Sequence, residues 1–244
     1  MINSPLVSVI CLCYNHEKFV KEAIKSVLCQ SYSNIQLIVV DDASTDGSKN
    51  VIAEMLEGTS TEFIKLHSNL GNTKAFNKGF AKAKGKYIID LAADDILIQN
   101  RVEKQVAFFE ECKQSIGVIY SDAIYIDEEG NELNTHFSNQ KLIPFVGDIY
   151  MKLISKYFIS PPTMMMKKEV LLELNGYDNN LTYEDFDFWI RSSRNWEYQY
   201  QPDVLTKVRK TQGSLSSRAY AKNDKQLSST YLVCQKIKAL NRTD

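Results

Sequence analysis

The chain contains no apolar stretch approaching the ~20 residues of a membrane-spanning helix. Its formal net charge is only −1, which leaves no global field for nucleic acid, so any anionic ligand must be met by local groups. The five cysteines (Cys11, Cys13, Cys29, Cys112 and Cys234) are odd in number and scattered. None forms a C-x-x-C pair, so the sequence predicts reduced thiols rather than a disulfide framework or a zinc site. His16, His67 and His136 lack metal-ligand spacing. The opening Met1-Ile2-Asn3-Ser4-Pro5 has no basic segment leading into an apolar core. The expectation is a soluble, cytoplasmic protein without a secretory leader. Repeats and low-complexity tracts are absent too.

What is present suits a single large α/β domain: 244 residues, of which 44% are hydrophobic and 11% aromatic, enough to build a sizeable core. Apolar runs at 6–12, 35–40, 62–66 and 86–91 predict buried strands. Helical spacing predicts helices at 17–28, 49–56 and 74–83 between them, the first with Val20, Ala23, Ile24, Val27 and Leu28 on one face. This alternation predicts a Rossmann-like, mostly parallel twisted sheet with helices on both faces. A helix at 101–113 and a strand at 118–122 continue it, and 123–147 reads as a hairpin plus loop. A strand at 164–166, a short helix at 168–174 and a last strand at 204–208 follow. Gly213–Ser217 reads as a flexible loop. A tail helix from about Lys222 carries Leu227, Tyr231, Cys234 and Ile237 on one face, with Lys225, Lys236, Lys238 and Arg242 elsewhere.

Two acidic clusters stand out. Asp94-Asp95 follows the predicted strand ending at Leu91, at the carboxyl edge where open α/β sheets place ligands. Glu184-Asp185 begins an amphipathic helix, where the helix dipole favours a carboxylate. Taken alone, Asp94-Asp95 also reads as a cap for the following helix and Glu184-Asp185 as a helix N-terminus that favours negative charge. Together, one cluster can hold a divalent cation and the other can supply a general base, a division of labour that suits group transfer from a nucleotide-activated donor. A dinucleotide-dependent oxidoreductase would need G-x-G-x-x-G after the first strand. Cys13-Tyr14-Asn15-His16-Glu17 stands there instead, with no glycine.

Five blocks in order carry a resemblance: Val7-Ser8-Val9-Ile10 through Tyr14-Asn15; Ile38-Val39-Val40-Asp41-Asp42 through Gly47-Ser48; Asn69-Leu70-Gly71 through Gly79; Asp94-Asp95; and Asn175-Gly176-Tyr177-Asp178 leading into Tyr183-Glu184-Asp185-Phe186-Asp187-Phe188-Trp189. They span residues 6 to about 217, and in this combination the chain resembles the inverting, GT-A-fold glycosyltransferases of family 2. The resemblance implies a GT-A domain over 1–217, with a nucleotide-binding half at about 1–122 and an acceptor half at about 123–217, plus a helical tail at 218–244. It implies a nucleotide-sugar donor, UDP-linked by expectation, and a saccharide or lipid-linked acceptor in bacterial surface polysaccharide or glycolipid synthesis. Nucleic acid is not an expected partner. A peripheral membrane contact or a homodimer through the C-terminal helix is compatible with the tail.

Residue by residue, the resemblance places Tyr14 and Asn15 beside the nucleotide and has Asp41 accept a hydrogen bond from a uracil-like N–H. Asp42 joins the nucleotide contact or braces its turn, and Lys74 reaches base or phosphates. Asp94 would bind Mn2+ or Mg2+ and the diphosphate, with Asp95 as a further metal ligand. Asp185 would be the catalytic base and Glu184 would orient it or the acceptor. Three positions depart from the family pattern. Ala92 replaces the first carboxylate of an Asp-x-Asp motif, leaving Asp90 or Asp95 to stand in. Leu12-Cys13 replaces Pro-Thr. Thr211 occupies the place of a histidine near the phosphates, which Lys207, Arg209 or Lys210 could replace electrostatically. A catalytically inactive, sugar- or nucleotide-binding relative is the alternative, and the presence of both Asp94 and Asp185 favours an enzyme.

Overall fold

A computed structural model describes residues 4–140, 143–211 and 225–241. The Gly213–Ser217 loop, the onset of the tail near Lys222, the boundary at 217 and Arg242 lie outside the described residues. Strand β1 (Val7–Cys13) is buried along nearly its whole length because it is central in the sheet and covered on both faces. It pairs in parallel with β2 (Ile35–Asp41) and with β4 (Tyr87–Ala92), and β2 pairs in parallel with β3 (Glu62–Lys65). Helices α1 (Val20–Leu28), α2 (Ser48–Leu56) and α3 (Asn72–Phe80) make the crossovers. The α1 face buries Val20, Ala23, Ile24 and Val27, as the spacing predicts. Helix α3 lies so close to the sheet that a Cβ on Gly79 would stand 2.6 Å from Ile10 Cγ2, so only glycine fits there.

The remaining strands extend the same sheet in the order β3-β2-β1-β4-β8-β6-β9-β5, with β7 on β6. These are β5 (Ile96–Leu97), β6 (Ile116–Ile126), β7 (Glu132–Thr135), β8 (Met165–Lys167) and β9 (Glu197–Arg209). The parallel order is interrupted by β8, which runs antiparallel to both β4 and β6, while β6 and β9 are parallel to each other. Helix α4 (Arg101–Glu110) precedes β6. Short helices α5 (His136–Gln140), α6 (Tyr150–Ser155) and α7 (Lys168–Glu173), then α8 (Asp185–Ser192) and α9 (Lys225–Leu240), complete the chain.

Several details differ from the sequence expectation. Strand β9 begins seven residues earlier than the apolar run at 204–208 suggests, because Pro202-Asp203 reads as a break. In the pairing, Ser121 faces Gln201 and Asp122 faces Val204, so the two intervening residues are accommodated as a bulge. The two-residue β5 is too short to leave a periodic signal. The hairpin expected in 123–147 exists as β6–β7, but α5 follows it where only loop was expected. Helix α9 is rotated relative to its expected apolar face: Ser229 and Val233 are buried, whereas Leu227 and Tyr231 are 69% and 63% exposed. Polar anchors select that rotation. Ser229 Oγ accepts the Thr182 N–H at 3.0 Å, and Lys236 Nζ reaches Asp178 at 2.5 Å and Asp187 at 2.6 Å.

Candidate active site

The carboxyl ends of β1, β2 and β4 bring the first group of candidates together. Tyr14, 43% exposed, follows β1, and Asn15 beside it takes a positive φ of 58°. Ala43, just after β2, also lies in the left-handed region, at φ 62°. Non-glycine residues there store local strain of the kind that gathers at functional sites. The two strand exits are stitched together: Asn15 N–H donates to Ser44 Oγ at 3.0 Å, and Thr45 N–H donates to Asn15 Oδ1 at 2.8 Å. Asn15 therefore shapes the cleft that it also lines.

Asp41 and Asp42 separate clearly. Both oxygens of Asp42 accept backbone N–H groups, from Leu70 at 2.7 Å and Gly71 at 2.8 Å, so Asp42 braces the loop that launches α3. Asp41 is fully buried. Its Oδ1 accepts Ser44 N–H at 3.0 Å, and Lys49 Nζ stands 3.8 Å away. Its Oδ2 is buried with no hydrogen-bond partner. A buried carboxylate oxygen left open costs free energy unless a ligand satisfies it, so this atom is a ready acceptor for an N–H. Lys49 is absent from the sequence reading; its position one helical residue after Ser48 gave no sign that it would face β2. Lys74 is exposed on the first turn of α3.

Asp94 and Asp95 also part company. Asp95 turns inward, 4% exposed, with Oδ1 accepting Arg209 N–H at 2.9 Å. Burial and the charge of Asp94 hold its carboxyl well above the usual range, against the pull of Arg209 N–H, Arg101 and Lys210. Asp94 stays at the surface of the site, its Oδ1 3.8 Å from His16 Nδ1, a buried ring nitrogen with no hydrogen-bond partner. Among the described residues, no three His, Cys, Asp or Glu side chains gather to hold a metal. A divalent cation at Asp94 would thus draw most of its oxygen ligands from a diphosphate and water, a donor set that suits Mg2+ or Mn2+. Of the three basic residues near the absent histidine, Arg209 is buried and committed. It donates to Asp94, Asp127 and Glu128 carbonyls and pairs with Glu22 at 2.6 Å. Lys207 pairs with Glu132 at 2.8 Å, and Lys210 lies over the Tyr125 ring at 3.9 Å.

The second acidic cluster is held by elements remote in sequence. Glu184 and Asp185 begin α8, whose buried face carries Phe188, Trp189 and Ile190. Asn72, at the start of α3, donates Nδ2 to Glu184 Oε2 at 2.5 Å. Burial, Asp185 and Asp90 push the Glu184 carboxyl well above its usual range. Asp90 on β4 accepts the Tyr177 O–H at 3.1 Å, and burial raises its pKa to about 7. Asp185 Oδ1 accepts Phe186 N–H at 2.7 Å, and its Oδ2 accepts the phenol O–H of Tyr157. Its pKa is raised by burial, with the Tyr157 and Phe186 bonds working in the opposite direction. The turn before α8 depends on Gly176, at φ 78°, where a Cβ would stand 2.3 Å from Asn77 Oδ1.

Sequence reasoning missed Tyr157, Asn72 and Arg101. Buried Arg101 joins the segment 162–164 to β9, donating to the carbonyls of Pro162 at 2.7 Å and Met164 at 2.9 Å and to Thr206 Oγ1 at 2.7 Å. Burial lowers its pKa to about 9.

Comparison with known proteins agrees with this architecture. The chain is 31% identical over 245 residues to the putative glycosyltransferase EpsE of Bacillus subtilis, covering 98% of this chain and 85% of EpsE. It is 34% identical over 212 residues to an uncharacterized glycosyltransferase, MJ1057, of Methanocaldococcus jannaschii, covering 84% and 69% of the two chains. Among solved structures, TarS (residues 1–349) of S. aureus in complex with UDP-GlcNAc superposes with a TM-score of 0.75 at 20% identity, over 95% of this chain and 66% of that one. The mannosyltransferase PcManGT of Pyrobaculum calidifontis, in complex with GDP-Man and Mn2+, also gives 0.75, at 17% identity, over 100% and 67%. These likenesses establish the GT-A fold. With the family model "Glycosyl transferase family 2" matching residues 8–174, the chain belongs to glycosyl transferase family 2 and is a glycosyltransferase.

Proposed function

We propose that this enzyme transfers a sugar from a UDP-sugar to a hydroxyl acceptor with inversion at the anomeric carbon, in the assembly of a bacterial surface polysaccharide or glycolipid. The observation that carries the donor reading is the buried, unpartnered Asp41 Oδ2 at the end of β2. It suits the N3–H of uracil, with Tyr14 as the neighbouring ring and Lys74 on the phosphate side. Cytosine presents an acceptor at N3 and would leave two acceptors facing each other. Asp94 would hold the divalent cation, which supplies positive charge against the departing diphosphate. His16 beside it fits either that ion or a phosphate oxygen.

Asp185 is the base in this reading. It takes the proton of the acceptor O–H as that oxygen attacks the anomeric carbon. The new C–O bond forms on the face opposite the breaking bond to the diphosphate oxygen, which leaves with the electron pair. One displacement gives one inversion. Glu184, held by Asn72 Nδ2 at 2.5 Å, is placed to orient the acceptor or Asp185.

Calorimetry with UDP, CDP and GDP, each with and without Mn2+, tests the donor reading. The expected result is binding of UDP well above CDP, dependent on Mn2+, with that dependence lost in Asp94→Ala. Equal binding of UDP and CDP would overturn the role of Asp41. Preference for GDP would replace uracil with guanine, whose N1–H also suits a carboxylate.

A further inference from the structure

Tyr157 has no place in the reaction as described so far, yet its phenol touches the atom that matters most. It lies just beyond α6, its ring centroid 4.8 Å from that of the fully buried Trp189 and the residue still 51% exposed. Trp189 is anchored in turn by its Nε1–H, 3.1 Å from Met164 Sδ. The ring is therefore fixed on one face by packing, while its O–H is delivered to Asp185 Oδ2. The other oxygen, Oδ1, is held by Phe186 N–H. Each carboxylate oxygen can accept two hydrogen bonds, so one site on each stays open for an incoming hydroxyl.

We propose that Tyr157 is the positioning residue for the base: its O–H locks the Asp185 carboxylate in one orientation and holds it ready for the acceptor's proton. The inference rests on Asp185 being the base. Burial and the neighbouring charges of Asp185 and Glu184 hold the Tyr157 phenol well above its ordinary range, so it remains protonated and acts only as a donor. A donor to a carboxylate stabilises the charged form. Tyr157 thus opposes the burial that raises the Asp185 pKa.

The other titratable groups around Asp185 cannot do this. Glu184 adds like charge when ionised, and Tyr177 directs its O–H to Asp90 rather than to Asp185. Tyr183 donates to Thr230 Oγ1 at 3.0 Å. Lys236 and Arg191 are bound by Asp187, at 2.6 and 2.7 Å. Asp90 acts on Glu184 and only through it on the base. Tyr157 is the donor from outside α8 that reaches the Asp185 carboxylate among the described residues.

The test is a carbon-13 NMR titration of the full chain labelled at aspartate carboxyls, with the Asp185 resonance identified by its loss in Asp185→Asn. Tyr157→Phe keeps the ring on Trp189 and removes only the O–H. The expected result is an Asp185 midpoint about one to two pH units higher in Tyr157→Phe, from loss of a charge-assisted hydrogen bond. UDP affinity, measured on the same preparations, should be unchanged and serves as the check on folding. An Asp185 midpoint that coincides in the two proteins overturns the proposal. UDP release from a UDP-sugar by Asp185→Asn separates this from the parent reading: wild-type release would remove Asp185 as the base and Tyr157's role with it. Abolished release with an unmoved midpoint would remove Tyr157 alone.

Discussion

The carboxylates on the proposed donor side and those on the proposed acceptor side are held by different kinds of partner. On the donor side, Asp42 is bound by the N–H groups of Leu70 and Gly71, Asp41 by that of Ser44, and Asp95 by that of Arg209. On the acceptor side, Glu184 is bound by the Asn72 side chain, Asp185 by the Tyr157 side chain beside Phe186 N–H, and Asp187 by Arg191 and Lys236. A backbone N–H is present whatever the residue, provided the loop keeps its shape. A side-chain donor is present only if one particular residue is. The donor-side contacts therefore depend on the path of the backbone, and the acceptor-side ones mostly on single side chains that can change independently.

The sharpest way to break this comparison is at the proposed base, Asp185. Asp185→Asn keeps the size of the side chain and its place at the start of α8 but cannot take up a proton. Release of UDP from a UDP-sugar should fall by at least ~10²-fold, the usual loss when a general base is removed. UDP and Mn2+ affinity should remain, because the donor-side carboxylates are fixed without it. If donor binding collapses as well, the two sides are not separate units. In the wild type, the acid limb of the pH profile should lie above the ordinary carboxylate range. Asp185 must be ionised to work, and burial has raised the pH at which that happens.

Next in size is Asp41→Ala. Losing the acceptor for the base N–H leaves that N–H unpaired in a buried site, at about 1–3 kcal/mol, or roughly 5- to 150-fold in UDP affinity. The discriminating measurement is the ratio of UDP to CDP affinity, which should approach one. A uniform loss for both nucleotides would instead mean that Asp41 holds the loop, as Asp42 does.

Lys236 probes the scattered side of the comparison. It bridges Asp178 and Asp187, and Asp187 lies inside α8, two residues beyond the base and 1% exposed. Lys236→Met removes one of two cations facing a buried carboxylate, while Arg191 remains at 2.7 Å. UDP affinity should be unchanged, the thermal midpoint should drop by several degrees, and turnover should fall by a smaller factor than in Asp185→Asn. Lys236→Arg should recover part of both. A loss of UDP affinity equal to the loss of turnover would show that α9 supports the whole domain rather than the base helix.

The same contrast explains what the sequence made legible. Asp41, Asp94 and Asp185 were readable as candidates because each follows a predicted strand or begins a predicted helix, and the hydrogen-bond partner of the first lies three residues on. Tyr157 was not readable: it is 28 positions from Asp185 and looks like any exposed aromatic after a short helix. Asn72 is 112 residues from Glu184, and Arg209 is 114 from Asp95. No local pattern encodes such pairings; they follow from the crossover order of the sheet. The fate of Asp95 illustrates the cost of reading locally. Beside Asp94 it resembles a second ligand, yet β9 ends next to it and its N–H turns the carboxylate inward. The rotation of α9 was hidden for the same reason, since apolar spacing counted Leu227 and Tyr231 but not the polar partners of Ser229 and Lys236.

The smallest expected effect lies at the seam between the two sides. Asp90 stands on the donor-side strand β4 but is bonded by Tyr177 from the acceptor side, and its charge acts on Glu184. Its pKa is raised from 3.8 to about 7 by burial. The folded protein therefore holds a proton there that the unfolded chain has already released. Stability from this group is complete below about pH 4 and is lost as pH rises through about 7. Asp90→Asn replaces the carboxyl by a neutral group of the same shape that still accepts from Tyr177. The variant and wild type should melt together near pH 4, and the variant should melt higher at pH 8, by about 2–4 °C for each kcal/mol of relieved burial. Parallel melting curves across that range would mean that water or a neighbouring donor keeps Asp90 ionised at no cost. The seam would then belong electrostatically to the donor side alone.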